Sequence, residues 1–287
     1  MDLALADVHR SFLNPPQRMA EVLLSRSVDH NFPVQLPLLR WGHPDAERSL
    51  LLLHGLSSAG GTWWGVASSL AAQGWAVTAP DLRGHGRAPR TLSYDLEAYR
   101  NDVLALRPGT RGPWDMVVGH SLGGAVTVHA AAADPEWART VLLIDPVITL
   151  ADTEREEAIQ GIRAEIRRTD PGEFTTGPHP WHQEDAWQRV LASRAVSDHV
   201  IESSLRSNTP WSFSDLLLAI KAPVRVLGAD PAREAPSFSA REGVALTAAS
   251  TSATFVVVDG AGHSVHRDDP ARVVAEIQAL HEHPQPS

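Results

Sequence analysis

The sequence predicts an α/β fold: a mostly parallel sheet with helices on both faces, interrupted by a helical cap insert. Three observations carry that expectation. Short apolar runs recur at residues 49–53, 75–79, 116–118 and 141–144. Segments of helical character separate them, which is the grammar of βαβ units and a parallel sheet buried on both sides. After Pro146 the rhythm stops for about seventy residues, and strand-like runs resume at 224–227 and 255–258.

Each element has a local reason. Residues 35–41 form a strand interrupted by Pro37, and 49–53 a buried strand ending at His54-Gly55. A helix over 63–73 stops at Gly74, and a second helix covers 96–104. A third begins after Ser121 and runs through alanines to Ala133. In the insert, Ile159, Ile162 and Ile166 recur at helical spacing, as do Trp187, Val190 and Leu191, and then Val200, Ile201 and Leu205. The Pro-, Gly- and Thr-rich stretch 170–180 reads as a loop, and a last helix covers 271–281. Domain organisation follows: an N-terminal extension over 1–27, with a short helix at 19–24; a core over 28–148 and 219–287; and a cap over 149–218. The tail from His283 reads as frayed.

Composition narrows the function. The 287 residues are 43% hydrophobic and 21% charged, as in a globular protein, with a net charge of −9. That balance disfavours a nucleic-acid grip, which needs clustered Lys and Arg. The absence of cysteine removes disulfides, thiol nucleophiles and Cys-ligated metal sites. Neither a basic leader before an apolar run nor a membrane-length apolar stretch is found, so a cytoplasmic protein with no membrane partner is expected. No glycine-rich nucleotide loop is present. His179 and His182, beside Glu184 and Asp185, have a ligand-like spacing, but Pro180 breaks the helix that would align them. A lid hinge is the simpler reading, and no cofactor or metal is expected.

The chemical signal is Gly119-His120-Ser121-Leu122-Gly123, placed where a buried strand ends and a helix begins. So tight a reversal strains its middle residue, needs small residues two positions to either side, and lifts the serine hydroxyl to a helix N-terminus. With His54-Gly55-Leu56, Asp81-Leu82-Arg83-Gly84-His85-Gly86 and Gly262-His263-Ser264, it makes the chain resemble the α/β-hydrolase family, in its serine esterase or lactonase branch.

The resemblance implies a nucleophile, Ser121, and, in chain order, an acid and a late histidine. Among fourteen histidines, His263 holds the family position of the base, with His266 as its rival. The acid falls after the strand 224–227, which selects Asp230. Asp145, at the end of the preceding strand, is the alternative, and Glu234 a remoter third. The oxyanion donors implied are the backbone N–H groups of Leu56 and Leu122. His54 matches a structural histidine, and the segment 81–86 a turn that ties loops beneath the site. Nine tryptophans against two tyrosines suggest an apolar pocket, with Trp63, Trp64, Trp181, Trp187 and Trp211 as candidate walls. The expected substrate is an uncharged, moderately apolar small-molecule ester or lactone. A carbon–carbon hydrolase acting on a dienoic ketone and a non-catalytic binding protein of the same fold are the alternatives.

Overall fold

The computed structural model describes residues 32–109 and 112–282; the expected extension 1–27, its helix at 19–24 and the tail from His283 lie outside them. Among the described residues nine strands form: β1 (Leu38–Trp41), β2 (Arg48–Leu53), β3 (Trp75–Pro80), β4 (Met116–His120), β5 (Val141–Ile144), β6 (Thr149–Leu150), β7 (Trp211–Ser212), β8 (Val224–Gly228) and β9 (Ala253–Val257). Seven make one sheet in the order β1-β3-β2-β4-β5-β8-β9, parallel throughout except for β1 against β3.

Residue parity explains why the central strands are apolar on both sides. Leu51 and Leu53 of β2 join one core cluster, with Val117, Val141 and Leu143. Leu50 and Leu52 join the other, with Met116, Val118, Leu142 and Ile144. Successive side chains enter opposite layers, each covered by helices. The helices before the insert are α1 (Trp64–Ala72, entered through a 3-10 turn at Gly60–Trp63), α2 (Leu96–Leu104) and α3 (Leu122–Ala133). Asp95 caps α2 by accepting the Ala98 N–H.

The sheet register gathers the C-terminal ends of β2, β4, β5 and β8 at one edge. Leu53 pairs with Gly119, His120 with Ile144, and Ile144 with Leu227. In open α/β sheets that edge is where ligands bind.

The insert leaves after β5 and returns through the β6–β7 pair, in which Thr149 faces Ser212 and Leu150 faces Trp211. It holds α4 (Arg155–Ile166), α5 (Gly172–Thr175), α6 (Gln183–Ala195) and α7 (Asp198–Arg206). The stretch expected as a loop over 170–180 thus contains one helical turn. Two reciprocal bonds staple the insert to the body: the Trp64 indole donates to Asp185 of α6 at 2.8 Å, and the Trp181 indole donates to Asp268 at 2.7 Å.

Four more helices follow among the described residues: α8 (Ser214–Ala219), α9 (Ala240–Ala249), α10 (Val265–Asp268) and α11 (Pro270–Glu282). Of these the sequence reading anticipated only α11. Helix α9 opens on a full capping box, Ser239 with Glu242.

Candidate active site

Ser121 is the residue between β4 and α3, with φ 52° and ψ −117°. This is a strained conformation for a side-chain-bearing residue. The surroundings allow it only because the flanking chain is bare. A Cβ on Gly119 would lie 2.4 Å from the Gly123 carbonyl oxygen, and one on Gly123 would lie 2.4 Å from that of Leu53. The Ser121 N–H is fixed by the Ile144 carbonyl at 3.1 Å.

His263 sits on the loop between β9 and α10. Its Nδ1 donates to Asp145 Oδ2 at 2.7 Å, with Ser237 Oγ at 3.3 Å. Its N–H is taken by Glu234 Oε2 at 2.9 Å, and its carbonyl accepts from His120 Nε2 at 2.9 Å. The ring is therefore oriented at Nδ1 by Asp145 and Ser237, its backbone is held by Glu234 and His120, and Nε2 is kept for another partner. Ser121 and His263 line the same two adjoining cavities.

The acid beside His263 is Asp145, and the first-choice expectation of Asp230 is corrected. Asp145 follows β5 directly, has φ 38° and is fully buried. Besides His263 it accepts the N–H groups of Ser237 at 3.0 Å and Phe238 at 3.1 Å. Asp230 instead turns its carboxylate onto the N–H groups of Ala232 and Gly260, each at 2.8 Å. Those two bonds hold its pKa below the usual carboxylate value. It braces the loop that carries His263 without meeting the ring. Glu234 reaches the His263 backbone and not its imidazole.

His266, the rival base, is buried in α10 with its ring 4.3 Å from that of Trp63 and 4.6 Å from that of His120. His54 accepts the Leu82 N–H at Nε2 and donates from Nδ1 to the Gly55 carbonyl, which makes it a brace. Asp81 likewise ties loops, accepting from Gly60 and Arg87 N–H groups at 2.9 Å each. His182 caps α6 by accepting the Glu184 N–H, and among the described residues no group of three or more His, Asp or Glu is arranged to hold a metal ion.

The walls depart from the expected apolar pocket. One cavity, of about 320 Å³, has Trp181 and Phe174 on its wall together with Arg168, Arg189, Arg233 and Arg267. The other, of about 420 Å³, is lined by Val147, Leu150, Ile162, Leu205 and Trp211 among others. Trp181 and Trp211 thus stand where expected. Trp63 does not, being fully buried in the core beneath α1; Trp64 is turned to Asp185, and Trp187 faces solvent. Leu56 lines both cavities and Leu122 the second. Leu122 opens α3, so its N–H has no carbonyl a turn before it within the helix.

Burial keeps several imidazoles neutral. Desolvation lowers the pKa of His54 and His129 from 6.5 to about 4 and that of His85 to about 3, and it holds His120 and His266 well below 6.5. The unfolded chain therefore takes up protons first as the pH falls. Stability is full above about pH 6.5 and declines as the pH drops through 6 and 5 toward 4, at about 1.4 kcal/mol per pH unit for each proton taken up. Urea midpoints measured from pH 7.5 to 4.5 are expected to fall with a slope of several protons; a flat profile contradicts this.

A strained serine at a strand-to-helix elbow and a histidine–carboxylate pair thus line the same cavities at the C-terminal edge of the sheet. The family model described as the Alpha/beta hydrolase family matches residues 50–276, and the chain belongs to that family. It is 33% identical over 140 residues to Lipase LipV of Mycobacterium tuberculosis, covering 49% of this chain and 52% of that protein. To pimeloyl-(acyl-carrier protein) methyl ester esterase of Neisseria meningitidis it is 34% identical over 178 residues, covering 61% and 54%. The chain thus spans about half the length of these curated relatives. Its fold is shared with the crystal structure of E-2-(acetamidomethylene)succinate hydrolase, at a TM-score of 0.71 and 20% identity over 86% of this chain and 95% of that one.

Proposed function

We propose that the protein is a serine hydrolase that cleaves a carboxylic ester or lactone through an acyl-enzyme. The observation that carries this reading is the 2.7 Å His263–Asp145 bond beside the strained Ser121 in one cavity. The names of the relatives, a lipase and a methyl ester esterase, support the choice of an ester bond.

In this mechanism Nε2 of His263 accepts the Ser121 proton as Oγ attacks the carbonyl carbon. Asp145 holds the ring in the tautomer with the proton on Nδ1 and stabilises the imidazolium that forms. The N–H groups of Leu56 and Leu122 receive the negative charge on the carbonyl oxygen. His263 then protonates the leaving alcohol, and water activated by the same ring releases the acid. The cap over residues 149–218 walls the two cavities and limits water at the acyl-enzyme.

The test is hydrolysis of p-nitrophenyl esters from acetate to octanoate, combined with labelling by an alkyl fluorophosphonate. Steady turnover, and a covalent adduct on the tryptic peptide that contains Ser121, are expected. An adduct on another residue, or turnover unaffected by full labelling of Ser121, overturns the reading. Turnover of dienoic ketones in the absence of any ester hydrolysis moves the assignment to a carbon–carbon hydrolase.

A further inference from the structure

We propose that Arg267 anchors a carboxylate-binding subsite beside Ser121, so that the substrate is an ester bearing a free carboxylate, such as a half-ester of a dicarboxylic acid. The inference rests on the hydrolase reading of Ser121 and names the substrate class for it.

Arg267 lies four residues after His263, is 6% exposed, and lines the cavity into which Ser121 opens. Its only hydrogen bonds among the described residues go to two neutral hydroxyls, Ser58 Oγ at 3.1 Å and Ser264 Oγ at 3.4 Å. Its buried Nε has no partner. Of the five N–H donors of a guanidinium, three thus remain unused. The carboxylates nearby are committed elsewhere. Asp268 takes Arg233 Nη2 at 2.8 Å, the Trp181 indole at 2.7 Å and the Gly262 N–H at 2.8 Å. Asp185 takes the Trp64 indole.

The other cavity arginines are answered. Arg168 pairs with Glu173 at 2.9 Å and with Glu165 at 3.2 Å, and Arg233 pairs with Asp268. Arg189 bonds Ser193 and stands 3.7 Å from Glu165. Burial, followed by the proximity of Arg189, pulls the pKa of Arg267 down to about 10, which still leaves it cationic at neutral pH. Asp185 and Asp268 oppose that shift without hydrogen-bonding the guanidinium, so the buried charge is only partly compensated and an incoming anion offsets the remainder.

The shape of the site selects a carboxylate. The Trp181 ring covers one face of the guanidinium, 5.0 Å from Cζ, and leaves its planar edge for a planar, singly charged partner. Arg168, Arg189 and Arg233 each have a carboxylate within ion-pair distance, in Glu173, Glu165 and Asp268, which leaves Arg267 as the single cation of the four without one and matches one carboxylate better than a dianionic phosphate. The second cavity that Ser121 lines, with Val147, Leu150, Leu205 and Trp211 on its wall and the carboxylates Glu154 and Glu165 but no arginine, accepts the uncharged half of the same molecule. The net charge of −9 is an average over the whole chain and does not describe the surroundings of this one cation.

The experiment compares monoethyl with diethyl esters of the straight-chain dicarboxylic acids from succinic to suberic, followed by alkali uptake. The best monoester is expected to exceed its diester in kcat/KM by about tenfold or more, chiefly through KM. Arg267→Gln is expected to bring that ratio toward one, and Arg267→Lys to restore part of it. Equal or better use of the diester by the unaltered protein overturns the subsite, as does an undiminished preference in folded Arg267→Gln. Calorimetric binding of the monoester to Ser121→Ala separates the two readings. Ester hydrolysis without monoester binding removes the subsite alone; monoester binding without hydrolysis of any ester by the unaltered protein removes the hydrolase reading alone.

Discussion

Asp145→Asn is expected to hydrolyse esters about 10⁴-fold more slowly than the unaltered protein, a loss approaching that of Ser121→Ala, with KM little changed. The reason is the hydrogen-bond ledger around the carboxylate. Oδ2 accepts both His263 Nδ1 and the Ser237 N–H, and Oδ1 accepts the Phe238 N–H. An asparagine amide turned with NH₂ at the Oδ2 place sets a donor against the Ser237 N–H and forces Nδ1 of His263 to accept. The ring proton then sits on Nε2, where it blocks uptake of the serine proton. Turned the other way, the amide sets its NH₂ against the N–H groups of both Phe238 and Ala229, one opposed donor more than in the first orientation, at a cost of about 1–3 kcal/mol for each. Asp230→Asn faces no such conflict at the ring, so kcat is expected to fall by less than about tenfold, through a looser His263 loop. Steady-state kinetics on one p-nitrophenyl ester settle the comparison. A loss in Asp230→Asn equal to that in Asp145→Asn contradicts the geometry.

That pair of aspartates also marks where the sequence stopped being readable. The strands were legible because each central run is buried on both faces and so carries almost no polar residue. The elbow was legible because its two glycines answer a steric demand made by backbone oxygens within 2.4 Å. Asp145 and Asp230 both follow strands that flank one another, and both ends reach the same edge of the sheet. Which carboxylate turns inward depends on backbone N–H groups that lie far along the chain from the acid they hold: those of 237–238 for Asp145 and that of 260 for Asp230. Trp63, Trp64 and Trp187 were misplaced for a similar reason: composition counts indoles but cannot say that Trp63 packs on His266 while Trp64 turns to Asp185. Helix α9 was the avoidable omission. Its stretch of alanine, glycine and threonine lacks an apolar stripe, yet Ser239 and Glu242 spell its N-terminus at the spacing a capping box requires. The charged cavity wall was hidden because its arginines are scattered from 168 to 267 and converge only when the insert folds back over the sheet.

Arg83→Met is expected to cost about 3–5 kcal/mol of folding stability, the range for a buried ion pair that loses one member. Both side chains of the Arg83–Asp102 pair are fully buried, and the pairing is two-pronged: Nε to Oδ2 at 2.7 Å and Nη2 to Oδ1 at 2.8 Å. The same guanidinium donates to the Ser93 carbonyl at 3.0 Å, and Asp102 accepts the Val34 N–H at 2.7 Å. One pair therefore holds together the loop after β3, helix α2 and the segment leading into β1. Methionine fills much of the arginine volume but leaves Asp102 charged and without its fork, in a place water does not reach. Arg83→Met combined with Asp102→Leu removes both charges, and is expected to recover a large part of the loss because the penalty belongs to the orphaned charge more than to the missing bond. Urea unfolding of the two single variants and the double variant measures this coupling. A cost below about 1 kcal/mol for Arg83→Met, or costs that simply add, would mean that the pair contributes little beyond its surroundings.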